Sequence, residues 1–162
     1  MNEEGIDLKN ITIVLIVLFL FFYANYDAWA GKGNDDMKLV NAVIDSMEKA
    51  LFNYSSKDFI KLLAEGYIEI NGADGEIMDL KKVKKVYRDI LDKEKKRHYM
   101  KFFDRYINVD QKIAVVNCKF EETIEGSNDK GSGIAVFVLI KEKEDWEIAS
   151  LAYSYNVSSS KK

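Results

Sequence analysis

The chain has 162 residues, 48% hydrophobic and 31% charged, with one cysteine, one histidine and no proline. That length suits a single domain with a real core. Glu3, Glu4, Asp7, Asp27 and Lys9 are the charged residues of the first thirty, so the remainder carries 23 charges of each sign. A neutral body argues against nucleic acid as the main partner, because phosphate binding rests on a basic surface. A lone Cys118 excludes an intramolecular disulfide and a cysteine-based metal site.

Ile11 to Tyr23 is an apolar run of 13 residues broken only by Thr12. It is shorter than the roughly 20 residues that span a bilayer, and it fits the apolar region of a signal peptide. Ala28 and Ala30 stand in the A-x-A relation that a signal peptidase reads, so cleavage is expected after Ala30. The expected organisation is a signal segment over 1–30, a folded body over 31–157 and a polar tail over 158–162. The expected destination is the periplasm or the outside. The acidic start, with Lys9 as its single base, leaves an alternative in which residues 11–24 stay as a membrane anchor. No cysteine near the cleavage site means no lipid attachment there.

Asp35 or Asp36 can cap a first helix, in which Met37, Val40, Ile44, Met47, Leu51 and Tyr54 recur at helical spacing. Ser55 to Asp58 has the form of a capping box. It opens a short helix with Phe59, Leu62 and Leu63 apolar and Gly66 as its stop. Tyr67 to Asn71 alternates like a short strand, and Gly72 to Gly75 is a turn. Asp79 caps a third helix with Leu80, Val83, Tyr87, Ile90 and Leu91 on one face. From Arg97 the period becomes two, with strands expected at 97–109, 112–124, 132–141 and 145–156 joined by short hairpins. Three helices followed by such a meander predict an α+β fold, the helices covering one face of a strongly curved antiparallel sheet as a cone-shaped barrel.

Three passages carry a family resemblance. Phe59 to Ile68 (FIKLLAEGYI) looks like a second helix running into a first strand. Asp74-Gly75 followed by Asp79 looks like a turn into a third helix. Asp145 to Ser150 (DWEIAS) looks like the opening of a last strand. Over about 36–156 the chain thus resembles the nuclear transport factor 2-like superfamily, which includes ketosteroid isomerase and SnoaL-like cyclases. The resemblance implies a pocket between sheet and helices. In isomerase-type members a carboxylate near the end of the first strand abstracts a proton, while a Tyr on helix one and an Asp on the third meander strand hold the oxyanion. Matched without gaps, these roles fall on Asn71, on Met47 and near Ala135 or Val138, none of which can perform them. Dehydratase-type members need two histidines, and His98 stands alone.

The resemblance therefore implies a binding or interaction module that is not an enzyme, with no cofactor and no metal. Its pocket is expected at Met47, Tyr67, Asn71, Phe102, Asp104 and Cys118, sized for a small apolar ligand. The alternative is a lyase or isomerase built around Asp104, with Tyr106 and His98. His98, Met100, Phe102, Asp104 and Tyr106 alternate on one strand face, where an Asp among aromatics could act as a base. The plainer reading of Asp104 is an edge carboxylate paired with Lys119. The lysines at 81, 82, 84 and 85 could touch anionic lipid or acidic polymers, and read more simply as a solvated face near Asp79, Asp89 and Asp92. Asn71 to Glu76 breaks the calcium-loop spacing. Both faces of 132–141 are apolar, as are the Trp146-Ile148 and Leu151-Tyr153-Tyr155 sets. That excess of apolar faces predicts a homodimer through the sheet.

Overall fold

In the computed structural model, residues 34–71, 75–94, 98–126 and 130–156 are described. The expected signal segment, 1–30, and the expected polar tail, 158–162, lie outside them. Met37–Lys162 forms one unit. The first helix, α1, runs over 34–52, already helical at residue 34, so neither Asp35 nor Asp36 is its cap. Val40, Ile44, Met47, Ala50 and Leu51 are its buried stripe, as the three- and four-residue spacing demands. Tyr54 turns into the left-handed region and ends it. A second helix, α2 (Ser56–Ile60), begins at the expected capping box, the Ser55 hydroxyl accepting from the Asp58 amide at 3.2 Å and donating to its carboxylate at 2.7 Å.

Gly66 does not stop α2. The helix lasts five residues, and β1 spans Leu63–Asn71. Leu63 and Ala64 are buried in β1 because that strand lies parallel to the last one, with the Ile148 amide bonded to the Leu62 carbonyl at 2.8 Å. A three-residue strand, β2 (Ile77–Asp79), then pairs with β1. Asp79 caps the third helix, α3 (Leu80–Tyr87), its carboxylate accepting from the Lys82 amide at 2.8 Å. Beyond Tyr87 the chain widens into a π-helical turn, Arg88–Glu94, with Leu91 fully buried.

The meander follows as β3 (His98–Asp110), β4 (Ile113–Ile124), β5 (Lys130–Glu142) and β6 (Asp145–Tyr155). The order β2-β1-β6-β5-β4-β3 makes a mixed sheet of six strands, curled but not closed. Its concave side carries the core. Phe102, Phe120, Phe137, Leu139, Ile148 and Leu151 are buried there with Val40, Ile44 and Met47.

Two bulges overturn expectations drawn from strict alternation. In β3 the register slips between Phe103 and Tyr106, and Asp104 takes φ +51°. One extra residue flips the parity of everything after it. Met100 and Phe102 pack inward, as do Ile107 and Val109, while Tyr106 is 71% exposed. Asp104 and Tyr106 therefore do not share a face with Phe102. The bulge instead turns Arg105 toward α1, where its guanidinium donates to Asn41 at 2.6 Å, Asp45 at 2.5 Å and Glu48 at 2.7 Å. In β6 the register slips between Ile148 and Ser150. Trp146 and Ile148 thereby face the core together with Leu151, Tyr153 and Tyr155, so the last strand does not present two apolar faces.

Candidate functional site

Strand alternation in β1 sends Tyr67 and Glu69 inward, and each is 1% exposed. Glu69 is a carboxylate in the middle of an apolar core, and two phenols converge on it. The Tyr67 hydroxyl donates to Oε2 at 2.9 Å and the Tyr153 hydroxyl to Oε1 at 3.3 Å, while Tyr87, at the end of α3, lines the cavity that Glu69 faces. A second buried carboxylate, Glu122, comes from β4 and accepts from the Tyr155 hydroxyl. Both acids line one cavity of about 120 Å³, together with Tyr87, Tyr153, Tyr155 and Phe120 and apolar side chains from β2, α3, the π-helical turn, β3 and β6. None of the described lining residues is basic.

Two glycines on the inward face of β5 make room for this arrangement. A Cβ on Gly131 would stand 2.8 Å from the Tyr155 ring and 3.2 Å from the Glu122 carboxylate. A Cβ on Gly133 would stand 1.9 Å from the Ser154 carbonyl oxygen and 2.8 Å from the Phe120 ring. With no side chains there, Tyr155 meets Phe120 edge-on at 5.2 Å and Tyr153 at 5.6 Å.

Burial pushes the Glu69 carboxyl above its ordinary range, and the tyrosine hydrogen bonds only partly oppose that. Burial and the neighbouring carboxylates push Tyr67, Tyr87 and Tyr155 upward as well. Tyr67 and Tyr155 therefore stay protonated and act as donors to Glu69 and Glu122. Chemically the arrangement offers one carboxyl that can take or give a proton closer to neutral pH than an exposed glutamate, inside a pocket with several hydroxyl donors. Among the described residues no group of three or more His, Cys, Asp or Glu converges as a metal site would need.

Of the residues singled out in the sequence, Tyr67 touches Glu69 and Phe102 lines the cavity. Met47 and Cys118 are buried in the core outside the cavity lining. Burial raises the Cys118 thiol to about 11, and its Sγ lies 3.6 Å from the Ala135 carbonyl oxygen. Asn71 is half-buried at the end of β1, beyond the cavity lining. Asp104 is outside, paired with Lys119 at 2.8 Å with both side chains 62% exposed. His98 opens β3, and its side chain is not among those described.

Glu69, Glu122 and Tyr87 were not picked out as site residues. The signal for the first two was present. Tyr67-x-Glu69-x-Asn71 and Cys118-x-Phe120-x-Glu122 are strict alternations that place an acid on an apolar face. A gapless match onto Asn71 passed over the carboxylate two residues earlier on that same face.

The profile of the SnoaL-like domain family matches residues 40–158. No curated protein matches the chain. Among solved structures it is similar to an NTF-2 like protein of unknown function from Shewanella oneidensis, at 14% identity and a TM-score of 0.64 over 74% of this chain and 98% of that one. It is also similar to a cystatin-like-fold protein of unknown function from Nostoc punctiforme, at 13% identity and 0.63 over 76% and 92%. A provisionally named scytalone dehydratase from Novosphingobium aromaticivorans matches at 10% identity and 0.68 over 78% and 87%. At such identities these likenesses speak for the fold alone. The match over most of its length, with the helices set in the hollow of a curled sheet, makes this chain a member of the SnoaL-like family within the nuclear transport factor 2-like superfamily.

Proposed function

We propose that the chain binds a small molecule with an apolar body in the Glu69 cavity. The observation that carries this reading is the convergence of two phenols on one buried carboxylate that faces a cavity. At about 120 Å³ the cavity is well below the roughly 300–1,000 Å³ of pockets for drug-sized ligands. It suits a compact molecule or the head of a larger one. A second reading adds proton transfer. It is favoured by the elevated carboxyl of Glu69 and by the phenol donors that could steady charge on a substrate oxygen. That reading moves the acid–base role from Asp104 to Glu69.

The test is an NMR screen in deuterated water with small ketones and aldehydes. Binding is read from shifts at Glu69, Phe120 and Tyr153, and chemistry from exchange of protons next to the carbonyl. Exchange that falls about 100-fold or more in Glu69→Gln supports proton transfer. Binding without exchange leaves the chain a carrier or sensor. No shift near Glu69 with any compound removes the site.

The same proposal places the folded body outside the cytoplasm and pairs it with a second copy through the convex sheet face. There Tyr106, Ile113 and Ile134 are 71%, 54% and 57% exposed, and Val136 and Val138 are half-buried. Light scattering at micromolar concentration tests the pairing. N-terminal sequencing of the exported protein, expected to start at Gly31, tests the processing.

A further inference from the structure

A different surface, on the far side of α3 from the cavity, has its own chemistry. Lys81, Lys84, Lys85 and Arg88 stand at i, i+3, i+4 and i+7, so they form one stripe along the helix. Four cations in two turns repel one another unless something negative answers them. Four of the described acids nearby have partners outside the stripe. Asp79 is spent on the helix cap, Asp89 holds Lys93 at 2.6 Å, Asp92 accepts from Ser56 at 2.6 Å, and Glu76 holds Lys82. Among the described residues, no ion pair within 4 Å joins a member of the stripe to an acid. Among the described residues, the acids lining the groove that the stripe borders are Glu65 and Asp89, against four members of the stripe and Lys93.

Beside the stripe lies an apolar patch. Ile70 and Ile77 are cross-strand partners on β1 and β2, and Ile68 is next along β1 on the same face. Ile68, Ile70 and Ile77 are 44%, 39% and 65% exposed. Ile77 shares a shallow groove with Lys81, Lys82 and Lys85. A soluble polyanion would be answered by the cations alone and would leave three isoleucines in water. Isoleucines set beside lysines match the two layers of an anionic bilayer surface, with acyl chains below and negative headgroups at the level of the ammonium groups.

We propose that the α3 stripe and the Ile68–Ile70–Ile77 patch form a docking face for an anionic lipid surface. The inference is independent of the cavity reading, because no residue of the stripe or patch lines that cavity.

Co-sedimentation of the full chain with neutral phosphatidylcholine vesicles, and with vesicles containing phosphatidylglycerol, tests it. Comparing the two lipids cancels whatever the apolar run at 11–23 contributes to both. The anionic vesicles should bind more tightly, by about fivefold per engaged cation, and the gain should shrink with salt. The triple change Lys81→Glu, Lys84→Glu, Lys85→Glu should lose about 100-fold on anionic vesicles and nothing on neutral ones. The pair Lys81→Glu, Lys85→Glu serves if circular dichroism shows the triple variant misfolded. Ile77→Ser should lose about tenfold on anionic vesicles. Equal binding to the two lipids, or unchanged binding of a folded charge-reversal variant, overturns the proposal. So does charge-dependent binding that ignores Ile77→Ser and is matched by soluble polyphosphate, which would make the stripe a polyanion site.

Discussion

Replacing Glu69 by Gln isolates the carboxyl on which the site rests, because the amide keeps the shape and cannot ionise. The ordinary value of a glutamate is near 4.5, and burial lifts Glu69 above it in the folded chain. Between those two values the native state holds a proton that the unfolded chain has released. Stability of the wild type therefore falls as pH rises through that window, by up to about 1.4 kcal/mol per pH unit from this group. The stabilising contribution is complete below the unfolded value and gone above the folded one. Gln has no such window. It offers one acceptor oxygen where Glu69 has two, so either Tyr67 or Tyr153 must turn, at a constant cost of about 1 kcal/mol. The diagnostic is thus the slope of the difference and not its offset. Urea unfolding followed by Trp146 fluorescence at pH 4 to 8 gives the difference between the two chains, in which the other acids cancel. The variant should gain on the wild type as pH rises from 4.5 and then level off. A flat difference, or a wild type that gains with pH, would mean that the phenols hold Glu69 charged more strongly than burial opposes it, and the proton-acceptor reading would fail.

Gly133→Ala should cost about 3 kcal/mol or more, roughly 10 °C in Tm, because its Cβ meets the Ser154 carbonyl oxygen and not a movable side chain. Gly131→Ala meets mainly the Tyr155 ring, so it should cost about 1 kcal/mol while disturbing ligand shifts in the cavity. Arg105→Ala removes the guanidinium that ties the β3 bulge to α1 and leaves Glu48 and Asn41 without that partner. A loss of about 2–3 kcal/mol in urea unfolding is expected, and less than 0.5 would contradict that clamp. Asp104→Asn, which removes the charge but keeps a side chain that tolerates φ +51°, should cost under about 1 kcal/mol and leave ligand binding unchanged, as an exposed pair with Lys119 implies. The Cys118 thiol, buried and raised to about 11, should react with a thiol reagent at neutral pH only after urea is added, and rapid labelling of the folded chain would contradict its burial.

Much of the fold is local and therefore legible in the residues themselves. The buried stripe of α1 follows from spacing, and the caps at Ser55 and Asp79 follow from short side chains that can reach amides three residues on. The meander follows from alternation broken at Asp110-Gln111 and Glu142–Asp145, where Gln111 and Lys143 take positive φ. What escaped was non-local. That β1 lies beside β6 depends on a contact between the second and last thirds of the chain, and that contact draws Leu63 and Ala64 out of a helix and into a strand.

The bulges show the division most clearly. Alternation tells which residues share a face only while the register holds, and one inserted residue reverses it. Nothing in the residues around Asp104 or Ala149 declares an insertion. It is set by the pairing of β3 with β4 and of β5 with β6, and by the curl those strands must follow. The sequence alone thus determined three helices, a first strand and a four-strand meander in that broad order, and the charge balance of the body. Only the tertiary structure decided that Asp104 stands in water, that Trp146 and Tyr155 face the same core, and that Glu69 and Glu122 meet in one cavity. Those two acids come from strands far apart in sequence, and their common environment exists only once the sheet has curled around it.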